Sequence, residues 1–146
     1  LIRLPAVRDH EEERVAGYIY YILGSLLTVV LFQPMIAFAA MLMLSLGDAA
    51  SGLLGSVLEN SNVRGLTGGL RVKPAPIVAC MLLSCLLIGY ISSAVTGLPL
   101  RVYLAGAAGA TLADSVAISL GGKPVDDNLT IPLISGALMS IAMLPG

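Results

Sequence analysis

Five apolar stretches divide the chain, each closed by a helix breaker or a polar interval. They cover residues 15–32, 35–54, 75–95, 102–120 and 129–146. Crossing a bilayer as a helix takes about 20 apolar residues, and each stretch meets or approaches that length. Periodicity adds nothing, because a helix that is apolar all round shows no amphipathic stripe. Length and breakers carry the assignment. Gln33-Pro34 ends the first stretch, since proline lacks an N–H and clashes with the preceding turn, and Thr96-Gly97-Leu98-Pro99 ends the third. The pattern predicts an all-α fold: a multi-pass transmembrane helical bundle, one integral-membrane domain over 1–146 with a polar lead at 1–14. The chain opens on Leu1, which leaves room for helices upstream, and its first 16 residues lack the apolar core of a signal peptide.

The polar intervals alternate between long and short. If successive spans reverse direction, 1–14, 55–74 and 121–128 share one side, and 33–34 and 96–101 share the other. Arg3, Arg8, Arg14, Arg64, Arg71, Lys73 and Lys123 then fall on the first side and only Arg101 on the second. The positive-inside rule makes the cation-rich side cytosolic. The N-terminus is expected inside and the end of the fifth span outside.

Composition agrees with the pattern. The chain is 57% hydrophobic and 12% charged, with a mean hydropathy of +0.92, where soluble domains carry about a quarter charged residues. A net charge of −1 gives no basis for a nucleic-acid partner. Cys80 and Cys85 stand about 140° apart on a helix, so they neither bridge nor share a metal, and they read as apolar fillers. His10 is the sole histidine, which leaves a zinc site or a Ser-His-Asp triad without support. Small residues crowd the second stretch from Gly47 to Gly55 and the fourth from Ala105 to Ala110. Such faces let helices approach closely in lipid, so these two helices are expected to touch.

Two acids interrupt the apolar runs. Asp48 and Asp114 each lie about two turns, roughly 9 Å, before the cytosolic end of their spans. At matched depth they could meet in one pocket, and ionisable residues inside a membrane are functional candidates by default. The alternative is that each only hydrogen-bonds a neighbouring helix. Asp126-Asp127-Asn128 precede the fifth span on the same side, with Asn128 suited to an N-cap and Pro132 expected in the first turn, where its missing N–H costs nothing. The third span also begins there, after Arg71-Val72-Lys73-Pro74, with Pro74 suited to a first helical position. Helix N-termini favour anions, and Arg64, Arg71 and Lys73 lie beside them. Carboxylates below cations and helix ends would suit Mg²⁺ with a polyphosphate. The competing readings are that the cations only set topology and that the acids at 126–127 only cap a helix. No GxxxxGK[ST] phosphate loop is present.

The order of these pieces resembles the membrane family that joins dolichol kinases, phytol kinases and CDP-diglyceride-type cytidylyltransferases. The resemblance rests on ERVAGYIYYILGSLLTVVLF at 13–32, LGDAASGLLG at 46–55, ADS at 113–115 and DDNLTIPLISG at 126–136, and it spans nearly the whole chain. Where family kinases carry a Lys-Ser-x-Glu-Gly-like segment, this chain has GGLRVKPAPIV at 68–78, and its fourth-span acid is Asp114 rather than Glu. The resemblance implies a multi-pass enzyme using CTP (ATP less so) and Mg²⁺ on a membrane lipid such as a polyprenol. On that reading Asp48 and Asp127 hold Mg²⁺, Asp114 is a metal ligand or the base, Arg64, Arg71 and Lys73 meet phosphates, and Asn128 belongs to the late polar pair. A lipid kinase is the expected activity; a cytidylyltransferase making a CDP-lipid, and a non-catalytic transporter or subunit, are the alternatives.

Overall fold

A computed structural model describes residues 17–58, 65–67, 70–116, 119–120 and 123–144. Their helices are α1 (Gly17–Leu31), α2 (Pro34–Leu42), α3 (Ala49–Val57), α4 (Ala75–Thr96), α5 (Leu100–Ser115) and α6 (Asp127–Met143). A π-helical turn, Met43–Asp48, joins α2 to α3, so the two form one rod over Pro34–Val57. Five apolar stretches have thus become five helical units. Two short antiparallel hairpins lie between them: β1 (Gly65–Thr67) with β2 (Leu70–Val72), and β3 (Ser119–Leu120) with β4 (Lys123–Pro124).

Proline and glycine set the boundaries. Pro34 occupies the first turn of α2, where its missing N–H costs nothing. Gly97 ends α4 with a left-handed φ of 73°, a conformation that a Cβ would oppose. Pro74 sits at the N-cap of α4 rather than inside it, one residue earlier than the sequence reading put it. The fourth stretch differs most from expectation. Its helix stops at Ser115, five residues short of 120, because Val116 turns extended and bridges Val72 on the neighbouring hairpin. A β-branched residue with a strand partner gains more there than in another helical turn.

Pro34–Val57 and Ala75–Thr96 are long and apolar enough to cross a membrane, and α1 and α6 are shorter apolar helices. Large apolar side chains cover the outside: Val30, Leu53 and Val95 are 70–80% exposed. The inside is built largely of small ones. α5 buries Gly106, Ala107, Gly109, Ala110 and Ala113, and packs chiefly on α6 and α4. The expected contact between its small face and the second helix is slight; α6 takes that face instead. A Cβ on Gly106 would stand 2.7 Å from Met139 Cγ, and one on Gly109 3.2 Å from the Ile134 carbonyl oxygen. Gly136 is pressed just as closely against the Phe32 ring.

One end of the bundle gathers the end of α5, the start of α6 and the segment leading into α4. The Lys73 N–H donates to the Ser115 carbonyl at 3.0 Å, and the start of α1, at Gly17, lies beside Asp126 and Asn128. At the other end Phe32, Leu98 and Met143 pack around Tyr103 and Ile36, and Tyr103 Oη pairs with Thr96 Oγ1 at 2.6 Å. The alternation of ends anticipated from the sequence is therefore present.

Gly136→Ala should destabilise the bundle by about 1–3 kcal/mol, the usual cost of overpacking. Adding Phe32→Leu should recover most of that loss. Thermal unfolding of the purified protein measures both.

Candidate functional site

Three acids from three elements converge at the gathered end. Asp48 closes the π-helical turn, Asp114 lies in the last turn of α5, and Asp127 opens α6. One carboxylate oxygen from each lies within 4.8 Å of the others. Asp48 and Asp114, expected to meet at matched depth about two turns inside their spans, do meet, but not at that depth. Asp114 lies one residue before the end of α5 and Asp48 nine before the end of α3, and their helices scarcely pack. The π turn is the part of the rod that approaches α5 on this side, and α3 stays apart from it.

Lys73 enters the same cluster. Its Nζ forms an ion pair with Asp114 Oδ1 and stands 3.9 Å from Asp127 Oδ2. The Lys73 side chain is 10% exposed, that of Asp114 0% and that of Asp127 29%. Local chemistry explains the delivery. A residue before proline is confined to extended backbone, so Lys73 prolongs β2, and its own N–H is taken by the Ser115 carbonyl. The side chain then reaches over the end of α5 onto the carboxylate one residue earlier. Asp114 is a fully buried charge with its counter-charge at hand, which is the condition under which such a charge is tolerable.

The neighbouring polar groups are mostly occupied. Thr111 Oγ1 donates to the Ala107 carbonyl and Ser115 Oγ to that of Thr111, while Ser51 Oγ donates to the Asp48 carbonyl at 3.0 Å. Asp126, not Asn128, is the N-cap of α6: its Oδ1 accepts the Asn128 N–H at 3.0 Å and the Asn128 Nδ2 at 2.8 Å. An aspartate two residues ahead of the N–H it accepts fills that role well, and the helix begins two residues before the expected start. Pro132 consequently falls beyond the first turn. The Asn128 carbonyl loses its helical donor and faces Gly24 of α1 instead, where a Cβ would stand 2.6 Å from that oxygen.

The expected site residues thus separate into groups. Asp48, Asp114, Asp127 and Lys73 come together. Asn128 is engaged in the cap beside them. Arg71 stands in the middle of β2, opposite Leu66 in register, and Arg64 lies outside the described residues, as do Gly68, Gly69 and His10. Sequence reasoning missed that Lys73 is a partner of the acids; the Val72-Lys73-Pro74 sequence, extended by its proline, is the signal that could have found it.

The donor set is wholly oxygen: three carboxylates, with no imidazole or thiolate in the group. Hard divalent cations such as Mg²⁺ prefer such ligands, and softer metals would want nitrogen or sulfur. Three acids against one ammonium leave two negative charges when all are ionised. The residues present fit a divalent cation.

Comparisons with protein-family models, with curated proteins and with solved structures each returned no match.

Removing one partner of a buried pair strands the other charge, at a cost of about 3–5 kcal/mol. Lys73→Met should therefore lower the unfolding temperature strongly. The double variant Lys73→Met/Asp114→Asn should unfold at a higher temperature than Lys73→Met alone, which differential scanning calorimetry resolves.

Proposed function

We propose that the chain is a multi-pass membrane protein and a CTP-dependent lipid kinase, phosphorylating an isoprenoid or related lipid alcohol at the cytosolic face. The observation that carries the reading is the convergence of Asp48, Asp114 and Asp127 around Lys73 at one end of an apolar bundle. Three further features support it. The outer surface offers large apolar side chains that lipid would cover. The acids are the ones that the resemblance to dolichol and phytol kinases marks at Asp48 and Asp127. Among the described residues, Lys73 lies at the end that holds them and Arg101 opens α5 toward the other, the sense in which the positive-inside rule would make the acid end cytosolic.

Phosphoryl transfer needs the polyphosphate charge neutralised, the nucleophile aligned and its proton removed. On this reading Asp48, Asp114 and Asp127 are the ligands for Mg²⁺. When bound, Mg²⁺ supplies charge neutralisation on the transferring phosphoryl group. Asp127 is more exposed than Asp114, 29% against 0%, so on this reading the lipid hydroxyl and nucleotide would approach from its side. Lys73 holds Asp114 and Asp127 at their spacing and brings the positive charge nearest to an incoming phosphate. Enclosure of Asp114 keeps water from one side of the cluster, which strengthens every electrostatic contact within it.

The direct test incubates the membrane-embedded protein with labelled CTP, Mg²⁺ and a panel of polyprenols and lipid phosphates. A lipid monophosphate with CDP is the expected product. Pyrophosphate with a CDP-lipid would make the protein a cytidylyltransferase, and no turnover with any pair would favour a transporter or subunit.

Asp48→Asn keeps the side-chain shape and removes the charge that a divalent cation needs. It should leave the folded yield unchanged and abolish turnover; normal turnover would make Asp48 structural.

Sidedness has its own measurement. In a Cys80/Cys85-free background, Asn62→Cys and Leu98→Cys should label from opposite sides with an impermeant thiol reagent, Asn62→Cys from the cytosol. Labelling of Leu98→Cys from the cytosol alone would reverse the orientation.

A further inference from the structure

Asp48 reaches Asp114 although the rod that carries it barely packs on α5, and the rod's own geometry supplies the reason. Ile36 and Ala40 mark the buried stripe of α2. An α-helix turns about 100° per residue, so an unbroken helix would leave Asp48 about 120° round from Ile36 and about 80° from Ala40. That azimuth is close to Ala37, at the edge of the buried face rather than at its centre. A π-helical turn closes each hydrogen bond over one more residue. Met43–Asp48 is such a turn, and one absorbed residue brings Asp48 back to about 20° from the Ile36 azimuth.

The wide turn needs room on its inner side, and Gly47 supplies it. Gly47 is buried, and a Cβ there would stand 2.9 Å from Cys85 Sγ and 3.0 Å from Met81 Sδ on α4. Met81 ends in a flexible thioether that can swing aside. The Cys85 sulfur hangs on a single rotatable bond in the packed core, with Met81, Ile88 and Ala107 around it, and has little freedom to move. Any side chain at 47 therefore pushes the turn away from α4 at the residue next to Asp48.

We propose that Gly47 is a positioning residue for the site: its bare Cα lets the π-helical turn seat on Cys85 and Met81, and that seat aims the Asp48 carboxylate at Asp114 and Asp127. The inference rests on the metal reading of the acid cluster, and it extends that reading to a residue that touches no ligand.

The test measures Mn²⁺ binding to the purified protein by electron paramagnetic resonance, per folded molecule, without substrate. Gly47→Ala should weaken Mn²⁺ by about tenfold or more, the scale of one lost charge-assisted contact. Cys85→Ala removes the obstructing sulfur, so Gly47→Ala/Cys85→Ala should bind Mn²⁺ as Cys85→Ala does. Gly106→Ala, an equally tight glycine against Met139 in a different seam, should lower the unfolding temperature and leave Mn²⁺ affinity unchanged. Should Gly47→Ala fail to fold, the comparison of Cys85→Ala with the double variant stands alone, and a tenfold deficit in the double variant overturns the proposal. Wild-type affinity in folded Gly47→Ala overturns the positioning role and leaves the metal reading intact. Absence of Mn²⁺ binding in the wild type overturns both.

Discussion

A carboxylate enclosed in an apolar bundle is the constraint from which much of this arrangement follows. Asp114 has no exposed side-chain surface, and an uncompensated charge there would cost several kcal/mol. Its compensation comes from Lys73, forty-one residues earlier, so the segment before α4 must return across the end of α5. The backbone records that return twice, in the Val72–Val116 bridge and in the Lys73 N–H bond to Ser115. The same two contacts stop α5 at Ser115 and fix where α4 can start. One charge pair thus sets a helix end, a helix start and the shape of the site between them.

Close backbone approach is what makes the enclosure possible. Glycines stand at the seams between α1 and α6, α4 and α5, α5 and α6, and the π-helical turn and α4. Each lets two helices meet at a distance that a Cβ would forbid. The seam at Gly24 also brings α1 close against the Asn128 carbonyl, which Pro132 frees from its helical donor. Small residues inside and large apolar ones outside reverse the usual layering of a water-soluble bundle. They suit helices held together by contact rather than by expulsion of water.

Much of this was legible in the chain. Breakers and run lengths located the five helical units to within a few residues, because Pro34, Gly97 and Pro99 act locally. The meeting of Asp48 and Asp114 was anticipated on matched depth, yet the depths do not match: α5 ends one residue past Asp114 because Val116 turns extended, while α3 runs nine residues past Asp48. What escaped was whatever depended on another part of the chain. The early end of α5 depends on Val72, a strand partner that no window around residue 116 contains. Lys73 looked like a loop cation because its partners, Asp114 and Asp127, lie beyond the whole of α4. The cap on α6 went to Asp126 instead of Asn128, since both residues suit an N-cap and only the path of the preceding chain distinguishes them. The π-helical turn at Met43–Asp48 escaped because nothing in the sequence pattern separates it from a continuing α-helix; only its fit against Met81 and Cys85 of α4, at Gly47, sets it apart.

The position of Lys73 bears on how the site could handle anions. As a loop residue it would have added to a separate cationic shelf above the acids. Seated between Asp114 and Asp127, it instead subtracts from their charge and leaves a deficit that a divalent cation matches better than a monovalent one. An ammonium held this way cannot turn wholly to a phosphate without giving up its ion pair with Asp114. On the proposed reading, cation binding by the acids and anion binding by Lys73 would be coupled through one carboxylate, each making the other less costly. A site with that coupling favours a cation and an anion arriving together over either alone, which is the form in which a metal-bound polyphosphate presents itself.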